Sequence, residues 1–417
     1  CIMKNEIKPI VVIGAGIVGV STALWLQKQG KETILVDKAL PGNGASMGNA
    51  GLLAQWAMVP VNVPELWKSA PKYLLSNSSP IFFRWHYFPK LLPWLTKFMA
   101  NARESRSKKI IENLTPLVQD SVDQHKSLVK GTSAEKWLRD SKFSYIYKTH
   151  EAFKADAYGW KVKSGYGFIP NLVLGNNVRE EEPILSPDIK CMAVLEGQGY
   201  ITNPLGYVTA LFDVFQKNGG KFIKKSVKNL NTVNDHIYSV QLEDEEIICQ
   251  KAVVTSGIWS KNLIKNLKIK VPLETERGYH VVYENPSVEP RNPMMITEGK
   301  FAVTPMTTGL RCAGTVELGG LNASASRKPI DFIKKVSHKT FPDLKFENTS
   351  EWMGFRPTLP DSLPMIGEID NTGIFTGFGH QHIGMTSGPK TGFILAQLVT
   401  NNKPNLNISG YSPKRFG

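Results

Sequence analysis

Long apolar runs are missing from this 417-residue chain. No stretch approaches the ~18–20 consecutive apolar residues that a membrane-spanning helix needs, so no such helix is expected. Cysteine is scarce as well. Cys1, Cys191, Cys249 and Cys312 are scattered, with no Cys-x-x-Cys or Cys/His spacing, which reads as reduced thiols and provides no metal site. Acidic residues are outnumbered: 36 Asp and Glu against 50 Lys and Arg leave a formal charge of +14. A nucleic-acid partner would need those bases gathered in one compact cluster, but they are spread along the chain, so none is expected. A solvated lysine-rich surface is the plainer reading, with an anionic membrane surface or an acidic partner as the alternative. Internal repeats and low-complexity tracts are absent. The first strand-like run begins within ten residues, which leaves no room for an apolar signal segment, and a cytoplasmic protein is expected. What remains is ordinary globular composition, 41% hydrophobic and 21% charged, long enough for two domains or one large composite.

The most informative segment runs from Ile10 to Asp37. A β-branched apolar run, Ile10 to Ile13, meets Gly14-x-Gly16-x-x-Gly19; an apolar helix pattern follows to Gly30, then a second strand ending on Asp37. Gly14 permits the tight strand-to-helix turn, Gly16 lets a pyrophosphate approach the backbone, and Gly19 lets helix and strand pack closely. Asp37, 21 residues beyond Gly16, stands where a carboxylate accepts ribose hydroxyls. Strand, triplet, helix, strand and acid in register predict a bound dinucleotide, NAD or FAD.

The glycine-rich segment Leu40 to Leu53 is too long for a simple turn and reads as a functional loop. Residues 64–111 change character, with five prolines and many aromatics, and about Glu112 to Leu138 looks helical. Gly199 to Asn229 reads strand, helix (Pro204 to Asn218), turn, strand. With Tyr238 to Leu242 and Lys251 to Ser256 it is expected to add strands to a doubly wound sheet. Runs between Val271 and Val316 predict an antiparallel sheet in a second domain, and Gly373 to Val399 returns to strand, turn and helix. The expected division is residues 1–60, 195–262 and 352–417 for a discontinuous Rossmann-like domain, and 61–194 and 263–351 for a second, mainly antiparallel-sheet domain over it.

With these motifs assembled, the chain resembles the D-amino-acid oxidase superfamily of FAD flavoenzymes, and within it the bacterial D-amino-acid dehydrogenases, including D-proline and D-hydroxyproline types. The resemblance covers nearly the whole length. It rests on the N-terminal fingerprint, Gly44-Ala45-Ser46-x-x-Asn49-Ala50-Gly51, Glu276-Arg277-Gly278-Tyr279-His280 and Ala313-Gly314-Thr315-Val316-Glu317. Gly354-Phe355-Arg356-Pro357-x-x-Pro360-Asp361-x-x-Pro364-x-Ile366-Gly367 and Gly377-x-Gly379-His380-x-x-x-Gly384-x-Thr386 complete it. The resemblance implies FAD held by Gly14, Gly16, Gly19, Asp37, Lys38, Ser46, Asn49, Ala50, Gly51, Gly379, Gly384, Met385 and Thr386. It implies that Arg356 grips a substrate carboxylate, with Tyr279 and His280 near the substrate and His380 near the flavin. Three departures narrow it. Gln381-His382-Ile383 stand where glycine oxidases have an arginine, the Pro360–Pro364 segment lacks the cysteine that tethers flavin in monomeric sarcosine oxidases, and no tethering histidine occurs around residues 45–51. Noncovalent FAD is therefore expected.

The reaction implied is oxidation of a Cα–N bond beside a carboxylate by hydride transfer to flavin. It needs positioning and charge stabilisation, so the absence of a Ser/His/Asp set is no objection. Between Pro64 and Arg106, Trp67, Tyr73, Phe82, Phe83, Trp85, Tyr87, Phe88, Trp94 and Phe98 lie among Lys68, Lys72, Arg84, Lys90, Lys97, Arg103 and Arg106. Aromatics interleaved with bases suit a bilayer interface, hence a quinone acceptor and a peripheral position on the inner membrane face; helical packing is the alternative. Other readings are an O2-using glycine or sarcosine type of oxidase, a tRNA-modifying flavoprotein, or a noncatalytic subunit. The substrate side chain and the oligomeric state are not legible.

Overall fold

The computed structural model describes residues 8–68 and 80–417; Cys1, Lys72 and Tyr73 lie outside the described residues. Strand Ile10–Ile13 is buried along its whole length, as a strand covered on both faces must be. It pairs in parallel with Thr33–Asp37 on one side and Lys251–Val254 on the other. Lys221–Lys224 extends the first flank and Ile374–Phe378 the second, both in parallel, and Met365–Glu368 closes the edge antiparallel, giving six strands. The alternating side chains feed two cores. Ile10 and Val12 join the helices Ile17–Lys28, Pro204–Lys217 and Gly384–Val399, whereas Val11 and Ile13 meet Leu230, Ile237 and Val240.

That second face holds a surprise. The run Tyr238 to Leu242 was expected in the doubly wound sheet, yet His236–Gln241 is the centre of a separate three-stranded antiparallel sheet with Asn229–Val233 and Glu246–Ile248. Asn234 and Asp235 both have positive φ, 53° and 62°, the backbone of a two-residue hairpin turn. The hairpin returns the chain beside itself and lays an apolar face over the parallel sheet.

The second layer is a ten-stranded, mainly antiparallel sheet. Its order is Asn348–Thr358, Glu274–Glu284, Gly309–Leu318, Phe301–Met306, Met294–Ile296, Leu138–Tyr147, Cys191–Ile201 and Leu52–Leu53, with Ile81–Phe83 and Asn171–Leu174 added alongside. The fold class is therefore as expected: a Rossmann-like domain assembled from separated segments, and a second sheet domain. The expected boundaries at 195 and 352 fall inside Cys191–Ile201 and Asn348–Thr358, because each strand continues in the larger sheet without a break. The helical reading from Glu112 starts late. Helix Glu104–Val118 precedes Ser121–Val129, and a short turn Glu135–Trp137 follows.

Two crossings between the sheets set up the site. The glycine-rich loop leaves the Rossmann-like sheet and ends in Leu52–Leu53 of the larger one; Asn348–Thr358 leaves the larger sheet and leads back to Met365–Glu368.

Candidate active site

At the dinucleotide end each glycine has its own reason. Gly14 has φ +109°, and a Cβ there would stand 2.7 Å from Ser256 backbone. A Cβ on Gly19 would strike the Gly14 carbonyl. Gly16 differs, because its Cβ would meet only Ser46 Oγ, at 3.3 Å. Nothing in the protein demands glycine at 16, and the open space is what a pyrophosphate would use. Helix Ile17–Lys28 begins there with no side-chain cap on Gly16 and no acid in its first turn, which leaves its positive end for an anion. Ser46 Oγ accepts from the first N–H, Ile17, at 3.1 Å and folds the long loop over that end. Asp37 bridges the turn, Oδ2 accepting from Ala15 N (2.7 Å) and Oδ1 from Ala39 N (2.9 Å). Carboxylate oxygens keep lone pairs for ribose hydroxyls. Lys38, expected at the cofactor, instead holds its ammonium 4.1 Å from the ring centre of Trp259.

The loop from Met47 to Gly51 is pinned from beneath by the larger sheet. Arg311 Nη1 donates to Met47 O (2.9 Å) and Asn49 O (2.7 Å), His280 Nδ1–H to Gly48 O (3.1 Å), and Thr304 Oγ1 to Ala50 O (2.8 Å). Ile201 N reaches Gly51 O at 2.7 Å, and Asn49 Oδ1 accepts from Gly51 N at 2.8 Å. The His280 ring stacks on Trp352, which fills the place a Gly48 side chain would take. Burial, then the Arg311 charge, hold His280 down to about 3, so the ring stays neutral with its proton on Nδ1. His280 thus positions the loop, where a substrate contact was expected.

Tyr279 departs further. Along Glu274–Glu284 the side chains alternate, so Glu276, Gly278 and His280 share one face while Arg277 and Tyr279 take the other. Tyr279 is 1% exposed. Its hydroxyl donates to Glu317 Oε2 (2.6 Å) and accepts from Ser326 N (3.0 Å). Arg84 and the fully buried Arg277 each pair with Glu317 at 2.8 Å. This ion network staples Ile81–Phe83 and the 323–326 turn to the sheet, and it accounts for the Arg277, Tyr279 and Glu317 positions of two motifs.

Arg356 stands opposite Glu276 in register, on the sheet face that carries His280 and looks toward the glycine-rich loop. Its guanidinium crosses Gly278 so closely that a Cβ there would lie 2.7 Å from it. Its hydrogen bond is a long one, Nη1 to Gly314 O at 3.4 Å. Burial works against its charge and Glu276 works for it; burial likewise raises the Glu276 carboxyl, and Arg356 opposes that rise. A half-buried guanidinium with spare donors has the geometry to accept a carboxylate.

The turn after Ile374–Phe378 closes the cleft. Gly379, at φ +90°, and Gln381, at φ +50°, reverse the chain, and helix Gly384–Val399 starts at Gly384. His380 does not face the cleft: Nε2 is 3.0 Å from Thr391 Oγ1, and burial lowers the ring to about 3. Thr386 Oγ1 donates to Leu52 O (3.0 Å), and His125, itself buried and lowered to about 4, bonds Met385 O at 2.8 Å. Met385 and Thr386 therefore fix the helix start against the loop. Two residues went unread in the sequence. Arg311 lies two residues before the Ala313–Glu317 motif in the same strand, outside the residues that carried the resemblance. His382 keeps accessible surface yet is surrounded by protein beside Arg356, and desolvation, then that charge, lower its ring to about 4. Among the described residues no group of three or more His, Cys, Asp or Glu is placed to hold a metal ion.

Comparison with known proteins agrees with this geometry. The family model described as DAO, FAD dependent oxidoreductase, matches residues 9–398. A D-amino-acid oxidase of Bradyrhizobium diazoefficiens is 33% identical over 419 residues, 99% of each chain. A D-amino acid dehydrogenase of Helicobacter pylori is 27% identical over 420 residues, 98% of this chain and 99% of the other. A glycine oxidase from Geobacillus kaustophilus shares the fold, with a TM-score of 0.75 at 18% identity, covering 97% of this chain and 98% of that one. On a family match spanning nearly the whole length, with a glycine cradle and a pinned loop that suit its cofactor, the chain belongs to the DAO family of FAD-dependent oxidoreductases.

Proposed function

We propose that this protein oxidises the Cα–N bond of a D-amino acid or a D-proline-type imino acid, with FAD bound noncovalently and a quinone-like molecule as the final acceptor. The observation that carries the reading is Arg356, a guanidinium facing the glycine-rich loop whose one hydrogen bond among the described residues is 3.4 Å long. Its planar fork offers two parallel donors to a substrate carboxylate, and Glu276 across the strand pair balances the charge that remains when no substrate is bound. Fixing the carboxylate fixes the position of Cα, and orientation of this kind supplies most of what hydride transfer requires. His382 is neutral at physiological pH and adds no positive charge to repel the substrate amine. FAD supplies the two-electron acceptor for the Cα hydride. The D configuration is supported by the names of the Bradyrhizobium and Helicobacter relatives.

Loss of the hydride from a primary amine gives an imino acid that water converts to a 2-oxo acid and ammonia, whereas a proline-like substrate stops at the cyclic imine. The test is a substrate panel with an artificial dye acceptor: D-amino acids, D-proline analogues, glycine and sarcosine. Turnover confined to glycine and sarcosine would reject the D-amino-acid reading.

A second reading of the acceptor, O2, is favoured by the name of the 33% identical relative. Peroxide formed in step with dye turnover would select it. The membrane part of the proposal rests on the exposed surface. No described helix is long and apolar enough to cross a bilayer. Trp94 and Phe98 are buried, Phe82 packs on Phe332 and Phe83 on Phe88, but Trp67 is 52% exposed, Trp85 60% and Leu92 46%. Lys68, Lys90 and Lys97 are exposed in the same segments. We read this surface as a peripheral contact with anionic lipid on the cytoplasmic face.

A further inference from the structure

In the flavin-loop segment Met47 to Gly51, five consecutive carbonyls are taken by donors from the larger sheet, two of them by one guanidinium, Arg311. The N–H groups of Gly48 and Ala50 have no hydrogen-bond partner among the described residues. The segment's acceptors are thus spent, while two alternate donors, Gly48 and Ala50, are left free for a ligand. Arg311 is 7% exposed, its Nε has no partner, and burial is the one influence on its ionisation. The other arginines on this strand group have an acid: the buried Arg277 has Glu317, and the half-buried Arg356 has Glu276. Among the described residues Arg311 has carbonyl oxygens and the neutral His280 beside it, and no acid.

A buried cation without an acid is costly in the empty protein and is offset when negative charge arrives. We propose that Arg311 is a positioning residue that aims the Gly48 and Ala50 N–H groups at the bound flavin and supplies the uncompensated positive charge that raises its reduction potential. Reduction adds electrons to the flavin; the fixed cation stabilises that negative charge more than it does the oxidised, neutral ring. The inference requires FAD but no particular substrate, so an error in the substrate assignment leaves it untouched.

The test measures the flavin midpoint potential of the holoenzyme by dye-coupled reduction without substrate, in the wild type, Arg311→Met, Arg311→Gln and Arg311→Lys. The neutral variants should shift the two-electron equilibrium at least tenfold toward oxidised flavin, about 30 mV. Lysine keeps the charge but cannot span two carbonyls, so its potential should stay within about threefold of the wild-type equilibrium while FAD dissociates faster. A folded, FAD-loaded neutral variant with wild-type potential would overturn the proposal. Should neither neutral variant fold, Arg311→Lys decides: a retained potential supports the charge, and a tenfold drop assigns Arg311 a purely structural role.

Discussion

Arg356 and His382 face the cleft without strong partners, and each gives a residue-scale prediction. Arg356→Ala should keep FAD yet lose about 2–4 kcal/mol of transition-state stabilisation, roughly 30- to 1000-fold in kcat/KM for carboxylate substrates. Arg356→Lys should recover little of it, because one ammonium cannot replace the fork. Near-wild-type kinetics in the alanine variant would leave Arg356 a structural role. Arg356→Gln should also raise the His382 pKa from about 4, though short of the ordinary 6.5 because its enclosure remains. Removing a like charge favours the protonated ring, and NMR titration of His382 reads the shift directly; an unmoved pKa would mean that the two groups do not share a site. Arg356 could be proposed from the sequence because its motif is long. His280 and Tyr279 were not separable by role, since adjacent strand residues face opposite ways and sequence does not say which way is the cleft. Arg311 left no signal, because the Asn49 carbonyl it holds lies 262 residues away in the chain.

Among the elements, the first β-α-β unit was fully legible, since its pattern is local and every glycine has a mechanical reason. Two of those reasons can be separated by experiment. Gly16→Ala adds a methyl that meets only Ser46 Oγ, so the apoprotein should melt near the wild type while FAD binding weakens. Gly19→Ala drives a methyl into the Gly14 carbonyl and should destabilise the apoprotein itself, by about 1–3 kcal/mol for an overpacked contact. Equal loss of apoprotein stability in both would remove the argument that the space at Gly16 belongs to a ligand. The three-stranded sheet was misread because an alternating strand does not announce its partners; the Asn234-Asp235 turn was the available clue. The aromatic segment was half legible. Its composition left a lipid interface and helical packing both open, and only tertiary packing separates the buried Trp94 from the exposed Trp67 and Trp85. Trp67→Ser with Trp85→Ser should weaken binding to anionic vesicles at low salt without releasing FAD. Added salt should weaken the wild type too, as the Debye length falls to about 8 Å at physiological ionic strength. Vesicle binding indifferent to both would end the membrane reading.

For the whole molecule, three buried histidines set the acid response. His125, His280 and His380 are held neutral to about 4, 3 and 3, against 6.5 when unfolded. Below pH 6.5 the unfolded chain binds protons that the folded chain refuses, so stability falls as pH falls. Glu182, raised to about 7, and Glu276, also raised, act oppositely above 4.5, where the folded chain keeps protons the unfolded one releases. The decline should therefore be shallow from pH 6.5 to 4.5 and steeper below it, about 2–3 kcal/mol per pH unit near pH 4, where His125 itself begins to protonate in the folded chain. Thermal unfolding across that range checks it, and a melting temperature flat down to pH 4 would contradict it. The family and its two-sheet plan were legible at this scale; the substrate and the acceptor were not, since they depend on how distant segments meet around the cleft. The most direct measurement is anaerobic mixing of the yellow holoenzyme with the two enantiomers of each amino acid while flavin absorbance is followed. The prediction is rapid bleaching by D enantiomers, slowed by orders of magnitude in Arg356→Ala, and none by L. Bleaching by L enantiomers, or by no amino acid at all, would contradict the proposed function.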